Sequence, residues 1–164
     1  MAIRQIRYIG EECLSKICKP VKSITPRIEE LVDDLFDTMY EAQGVGLAAP
    51  QVGILRRICV IDVFDGDPFV LINPEVLETS GEQTDDEGCL SVPGKVASVT
   101  RPNYVKVKSY DMDMNEVIIE GEGLRARAIL HEMDHLDGIL YGQRANEPYH
   151  DIEISEDEEM EEEE

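Results

Sequence analysis

Between residues 25 and 41 the apolar positions fall on one side of a helix. Ile28, Leu31, Val32, Leu35, Phe36 and Met39 recur at helical spacing, while Glu29, Glu30, Asp33, Asp34 and Asp37 take the other face. Thr25-Pro26 opens the run. The threonine oxygen can accept from a free N–H of the first turn, and proline suits the first helical position because it has no N–H to lose. The spacing predicts an amphipathic helix that ends before Gly44, with its apolar stripe in the core.

From there the pattern changes to strands. Residues 57–64 read as a buried strand, Asp65-Gly66-Asp67 as a turn, and 69–72 as the returning strand, ended by Asn73-Pro74. Residues 75–79 read as a further short strand, and 80–86 as a polar loop. Residues 96–100 form another strand. Residues 104–110 alternate valine with lysine, a half-buried strand answered by 116–121 across the turn at 111–115. Helical spacing then returns. Leu124-Arg125-Ala126-Arg127-Ala128-Ile129-Leu130 consists of good helix formers, with Gly121 and Gly123 before it and Gly138 behind. A short helix or turn is expected within 11–17. The apolar pattern fades after Tyr141, so order is expected to stop near Tyr149. The expected fold class is α+β: antiparallel or mixed sheets packed around a central C-terminal helix, with one amphipathic helix near the N-terminus.

Composition refines this. At 164 residues the chain predicts one domain, 1–149, followed by an acidic, disordered tail, 150–164. From position 151 onward there are ten acidic residues and no basic ones; removing them from the formal charge of −21 leaves −11. Such a surface repels phosphate backbones, so direct nucleic-acid binding through a basic patch is not expected. No apolar run is long enough to span a bilayer, and Met1-Ala2-Ile3-Arg4-Gln5 lacks a signal-peptide core, so a membrane partner is not expected and the expected location is cytoplasmic. Four cysteines without a Cys-x-x-Cys pair do not suggest a disulfide framework. Cys59 sits in an apolar strand as a small hydrophobe; Cys89 lies in a different setting, Glu87-Gly88-Cys89-Leu90-Ser91.

The candidate chemistry is on the second helix. His131-Glu132-Met133-Asp134-His135 holds two of the three histidines in the chain. Two histidines four apart lie on one helix face, so their ring nitrogens can meet at one metal ion, and Glu132 can reach a water bound there. A catalytic metal wants three protein ligands and one open position. Position 141, where one protease pattern places a third histidine, is Tyr. Glu153 and Glu156 stand near the distance of another pattern, but in so acidic a stretch that match comes almost free. Cys89 is the better candidate. The stretch Gly44-Val45-Gly46-Leu47-Ala48-Ala49-Pro50-Gln51-Val52-Gly53 could let backbone run close to a ligand, and Gln51 is a polar side chain among apolar ones. A structural metal site would want a fourth ligand and would leave Glu132 and Gln51 without a purpose.

Gly44-Val45-Gly46-Leu47-Ala48-Ala49-Pro50-Gln51, Glu87-Gly88-Cys89-Leu90-Ser91 and His131-Glu132-Met133-Asp134-His135 together resemble the three signature motifs of peptide deformylases, in order and at comparable spacing. The resemblance covers the chain from the first helix to about Leu140. It implies a metal-dependent hydrolase that removes the N-formyl group from the N-terminal methionine of newly made proteins and releases formate, with a metal-bound water as nucleophile. It implies Cys89, His131 and His135 as ligands of one divalent metal, Fe2+ or alternatively Zn2+. Glu132 would move protons, while the Leu90 N–H and the Gln51 amide would stabilise the oxyanion. By the same resemblance Gly46 pairs with the substrate backbone, Val45, Leu124 and Ala128 help line the methionine pocket, and Glu87 supports the active-site loop. Asp134 would orient the site, and Arg101 could pair with an acid near it. Leu130 departs from the glutamine common before the first metal histidine. Some members dock on the ribosome through a basic C-terminal helix; residues 143–150 and the acidic tail offer no such helix, so that mode is not expected here. The expected partner is the N-formylmethionyl nascent peptide.

Overall fold

The computed structural model describes residues 2–152. Helix α1, Pro26–Glu41, starts as its caps predict: Thr25 Oγ1 accepts from the Ile28 N–H at 3.3 Å, and Pro26 occupies the first turn. Asp34 departs from the expected polar face. It is buried, because the N-terminal segment crosses α1 and the Ala2 N–H and Arg4 Nε both donate to its carboxylate. Glu12–Ser15 is a single 3-10 turn within the expected stretch.

The strands form two antiparallel sheets. The larger runs β1 (Gly46–Ala48), β2 (Ile58–Ile61), β3 (Phe69–Ser80), β6 (Tyr104–Tyr110) and β7 (Glu116–Glu122) in that spatial order. The smaller is β4 (Gln83–Cys89), β5 (Val92–Arg101) and β8 (His150–Asp151). Helix α2, Leu124–Leu136, carries the His131–His135 motif.

β2 shows how the layers are built. Its four residues, Ile-Cys-Val-Ile, are all buried. Successive side chains of a strand point to opposite faces. Cys59 and Ile61 accordingly pack with Ala128, Ile129 and Leu136 of α2. Ile58 and Val60 pack with Leu31, Leu35 and Met39 of α1. The large sheet is therefore covered by a helix on each face, and a continuous apolar run replaces alternation. On its other side α2 meets the small sheet, where Arg127 and His131 reach Glu87 of β4. This is why so much of its surface is buried.

Three expected boundaries move. Asn73-Pro74 does not end its strand: β3 continues to Ser80 with a bulge between Ile72 and Glu75, where Asn73 takes a φ of 49° and Pro74 has no N–H for the ladder. The polar stretch 80–86 is largely strand, because β4 is an exposed ribbon paired with β5 and does not need apolar residues. Order also passes Tyr149, as Lys95 and Val96 of β5 pair with Asp151 and His150 of β8. The expectations for the tail from 153 onward, including Glu153 and Glu156 as ligands, lie outside the described residues. No helix among the described residues is long and apolar enough to cross a membrane.

Candidate active site

The three motifs meet at one cleft of about 500 Å³. Its walls come from β1 with the loop before it and the 3-10 turn after it, the end of β4 with the turn into β5, and one side of α2. Val45, Gly46, Gln51, Glu87, Cys89 and Leu90 line it from the first two; Leu124, Ala128, His131 and Glu132 line it from the helix. His135 lies behind, buried, with Nε2 3.3 Å from His131 Nε2 and 3.4 Å from Cys89 Sγ.

Those distances test whether a metal fits. Tetrahedral bonds of about 2.05 Å to nitrogen and 2.3 Å to sulfur put ligand atoms about 3.3–3.6 Å apart. The two observed edges fall in that interval. The surroundings agree in charge. Burial opposes a proton on His131, yet Glu132, the Cys89 sulfur and Glu87 push its pKa well up, so the pocket favours a cation. Burial and neighbouring His131 push His135 well down, toward the neutral form that ligates metals. One other group of donors converges among the described residues, Asp86, Glu147 and His150, but all three are exposed.

Two buried carboxylates flank the histidines. Glu87 accepts from both sides of Arg101, Nε at 2.5 Å and Nη2 at 2.9 Å, and from Arg127 Nη1 at 2.5 Å. Its Oε1 is 2.7 Å from His131 Nδ1, which directs Nε2 to the ligand cluster. Burial works against the charge on Glu87, but His131 and Arg101 hold its pKa down to about 2. Asp134 extends the network, accepting from Arg101 Nη1 and Arg144. Glu132 is the opposite case. Its Oε1 is buried without a hydrogen-bond partner among the described residues, and burial pushes its pKa up to about 7, against the pull of His131.

Gly46 makes room for that carboxylate: a Cβ there would fall 2.5 Å from Glu132 Oε2. β1 is an edge strand, and the Asp62 N–H donates to Val45 O. In the observed register Gly46 faces Ile61 in a non-hydrogen-bonded pair, so its N–H and C=O point outward from the free edge. Ala48 is oriented the same way, and its outward N–H is taken by Gln51 Oε1 at 2.9 Å. This fixes the Gln51 side chain, whose Nε2 lies 3.0 Å from Ser91 Oγ and 3.5 Å from Cys89 Sγ. Leu90 sits in the two-residue turn beside it, its N–H donating to no described residue.

The profile of the polypeptide deformylase family matches residues 3–150. The chain belongs to the peptide deformylase family. It is 58% identical over 164 residues to a peptide deformylase of Lachnoclostridium phytofermentans, covering 99% of this chain and 100% of the relative. It is 60% identical over 152 residues to one of Agathobacter rectalis, covering 93% and 96%. Among solved structures, a peptide deformylase from Legionella pneumophila superposes with a TM-score of 0.84 at 41% identity, over 98% of this chain and 90% of that one. One from Thermotoga maritima gives 0.86 at 39%, over 90% and 100%. Peptide deformylases are metalloenzymes, in agreement with the donor set.

Arg127 and Ile152 were not singled out in the sequence. Arg127 had a signal: it stands four residues before His131, on the same helix face. Ile152 lines the cleft because β8 carries the chain back across β5, where its N–H donates to Gly94 O. Nothing local in the sequence marks that return.

Proposed function

We propose that this cleft removes the formyl group from N-formylmethionyl peptides at the start of newly made chains, in the cytoplasm where they are made. The observation that carries the reading is the pairing of the Cys89, His131 and His135 cluster with the buried, unpartnered carboxylate of Glu132 at one end of an open cleft. The catalytic unit extends through Ile152.

Cys89, His131 and His135 would hold one divalent metal, Fe2+ or Zn2+, through the thiolate and the two imidazoles. When bound, the metal supplies a Lewis acid that makes water acidic near neutral pH and polarises the formyl carbonyl. Glu132, whose buried Oε1 has no hydrogen-bond partner among the described residues, takes the proton of the attacking water. The water oxygen bonds to the formyl carbon, and negative charge builds on the former carbonyl oxygen. The Leu90 N–H and the Gln51 amide stabilise that charge. The C–N bond then breaks, Glu132 passes its proton to the leaving amine, and formate departs.

The substrate backbone adds to the free edge of β1, with the outward N–H and C=O of Gly46 as its partners. Val45, Leu124 and Ala128 receive the methionine side chain. Glu87 holds His131 and the β4–β5 turn, and Asp134 holds Arg101 against Glu87.

Formate release from formyl-Met-Ala-Ser, acetyl-Met-Ala-Ser and Met-Ala-Ser, with amine appearance measured in parallel, tests the reading. Only the formylated peptide is expected to yield formate and amine in equal amounts. Equal hydrolysis of the acetylated peptide, or cleavage inside Met-Ala-Ser, would replace it with a general amidase or a peptidase.

A further inference from the structure

None of the residues from Ala2 to Ile9 is buried, yet the backbone of this segment is firmly held. One end is clamped to α1. The Ala2 N–H and Arg4 Nε donate to Asp34, and the Arg4 N–H donates to Thr38 Oγ1 at 2.9 Å. Both acceptors are buried, Asp34 at 2% and Thr38 at 1% exposure. The other end joins two turns. The Arg7 N–H donates to Gln51 O at 2.7 Å, and the Ile9 N–H donates to Ser91 O at 2.8 Å. Tyr8, between them, sends its N–H the other way, to the exposed carboxylate of Glu11. Such alternation is that of an extended chain.

The two acceptors belong to the two halves of the site. Gln51 lies in the 3-10 turn Ala49–Val52, where the Gly53 N–H reaches the carbonyls of Ala49 and Pro50 but not that of Gln51. Arg7 satisfies the carbonyl left over. Ser91 closes the turn that presents the Leu90 N–H, and its own N–H meets Cys89 Sγ at 3.4 Å. The direct links between the turns run from Gln51 Nε2 to Ser91 Oγ and Cys89 Sγ. They use the amide assigned above to the oxyanion, and an amide engaged with substrate is a poorer brace. The bridge through residues 7 and 9 holds both turns and consumes neither donor. Among the described residues none before Gln43 lines the cleft, so the segment acts from behind it.

We propose that residues 2–9 form a strap whose Arg7 and Ile9 N–H groups are positioning groups for catalysis, setting the spacing between the Gln51 amide and the Leu90 N–H. The inference rests on the reading of those two as oxyanion donors. Donors of that kind work because they are held in place before charge develops. A displacement of about 1 Å, even one caused far from the chemistry, can cost on the order of a hundredfold. The Asp34 and Thr38 clamp refers the strap to a helix packed on the large sheet, so the spacing is set by the rigid part of the fold.

Amide-to-ester exchange tests this, because it removes a backbone N–H and keeps the side chain. Cys13 permits it in the full chain: a synthetic thioester ending at Glu12 is ligated to a chain beginning at Cys13. Three ligated chains carry the hydroxy-acid analogue of Arg7, Tyr8 or Ile9, and the all-amide ligated chain is the reference. Turnover of formyl-Met-Ala-Ser is referred to folded, metal-loaded protein, from melting and metal content of the same preparation. The Arg7 and Ile9 esters should each lose about 10- to 100-fold in kcat with KM within about twofold, as for an interaction used in the transition state. The Tyr8 ester should keep kcat within about twofold, since its N–H reaches neither turn. In a Gln51→Ala background the Arg7 ester should cost nothing further. Full turnover in the Arg7 or the Ile9 ester, an equal loss in the Tyr8 ester, or a loss that adds to that of Gln51→Ala overturns the proposal. Wild-type turnover in Gln51→Ala itself would end the oxyanion reading and this inference with it. Should an ester chain not fold, Thr38→Val in recombinant protein carries the test, by removing the acceptor of the Arg4 N–H at nearly constant shape. It should lower kcat about two- to fivefold with KM unchanged, and wild-type kcat overturns the proposal.

Discussion

Glu87 and Glu132 are both buried against the same histidine-bearing helix, and their surroundings push them in opposite directions. Glu87 is wrapped by Arg101, Arg127 and His131 and stays ionised down to about pH 2. Glu132 has an oxygen without a partner and titrates near pH 7. A carboxylate that must never change charge is given cations; one that must change charge is given burial and little else. Sequence neighbours do not make the difference. Glu132 stands next to His131 in the chain, but Glu87 makes the hydrogen bond to that imidazole.

The largest effect should come from removing the titrating group. Glu132→Gln keeps shape and removes the base, and we expect kcat to fall by roughly a hundred- to ten-thousandfold, with KM little changed. Metal content and fold should persist. Loss of metal along with activity would make Glu132 a ligand and end the proton-transfer assignment.

The same variant sharpens the comparison through pH. In metal-stripped protein the Glu132 pKa is raised from 4.5 to about 7, so its favourable contribution is fully present below about 4.5 and is lost as pH rises through 7. Glu132→Gln should therefore melt close to wild type below pH 4.5 and above it at pH 8. For Glu87 the sign reverses: its pKa is lowered from 4.5 to about 2, so its contribution is present above 4.5 and lost as pH falls toward 2. Glu87→Gln leaves the buried Arg127 guanidinium without a counter-charge and Arg101 with Asp134 alone. It should destabilise the fold by about 3–5 kcal/mol and weaken metal binding about 10- to 100-fold. Denaturant melts and metal titration check both; a variant as stable as wild type would mean that the network is not structural.

Much of this arrangement could be read from the residues. The two helices, the sheet-forming half and the three motifs are legible because helical spacing, caps and motif order are local signals. The roles of Gly46 and Arg127 are less so. The missing side chain at 46 matters because of Glu132, eighty-six positions away, and Arg127 matters because of Glu87, forty positions earlier on the small sheet. The edge position of β1 and the return of β8 past Tyr149 are likewise properties of strand order, to which local pattern is blind. The buried Asp34 was read as surface because its cover, residues 2–4, is distant in sequence.

Gly46→Ala tests the space around the free carboxylate with an intermediate effect. The added methyl would press on Glu132 Oε2 and move it, and a displacement of about 1 Å at a reacting group can cost on the order of a hundredfold. The loss should appear in kcat, with the Glu87 network and melting temperature nearly unchanged. Unchanged turnover would show that the carboxylate can shift without cost.

The smallest effect should come from the outer end of the network. Arg144 is half exposed and, among the described residues, its side chain pairs with Asp134 alone, which Arg101 already holds from the buried side. A solvent-exposed pair contributes about 0–1 kcal/mol, because water and salt screen it and two long side chains must be ordered to form it. Arg144→Ala should therefore change stability by less than about 1 kcal/mol and turnover by less than about twofold. Arg101→Ala should behave differently, because it strips two hydrogen bonds from Glu87 and one from Asp134 within a buried site. A cycle combining Arg144→Ala with Asp134→Asn isolates the rim pair from the rest. A coupling energy well above 1 kcal/mol, with altered metal affinity in Arg144→Ala, would show that the ion network is cooperative out to its exposed end. The contrast between the two carboxylates would then depend on the whole chain of charges rather than on the contacts of Glu87 alone.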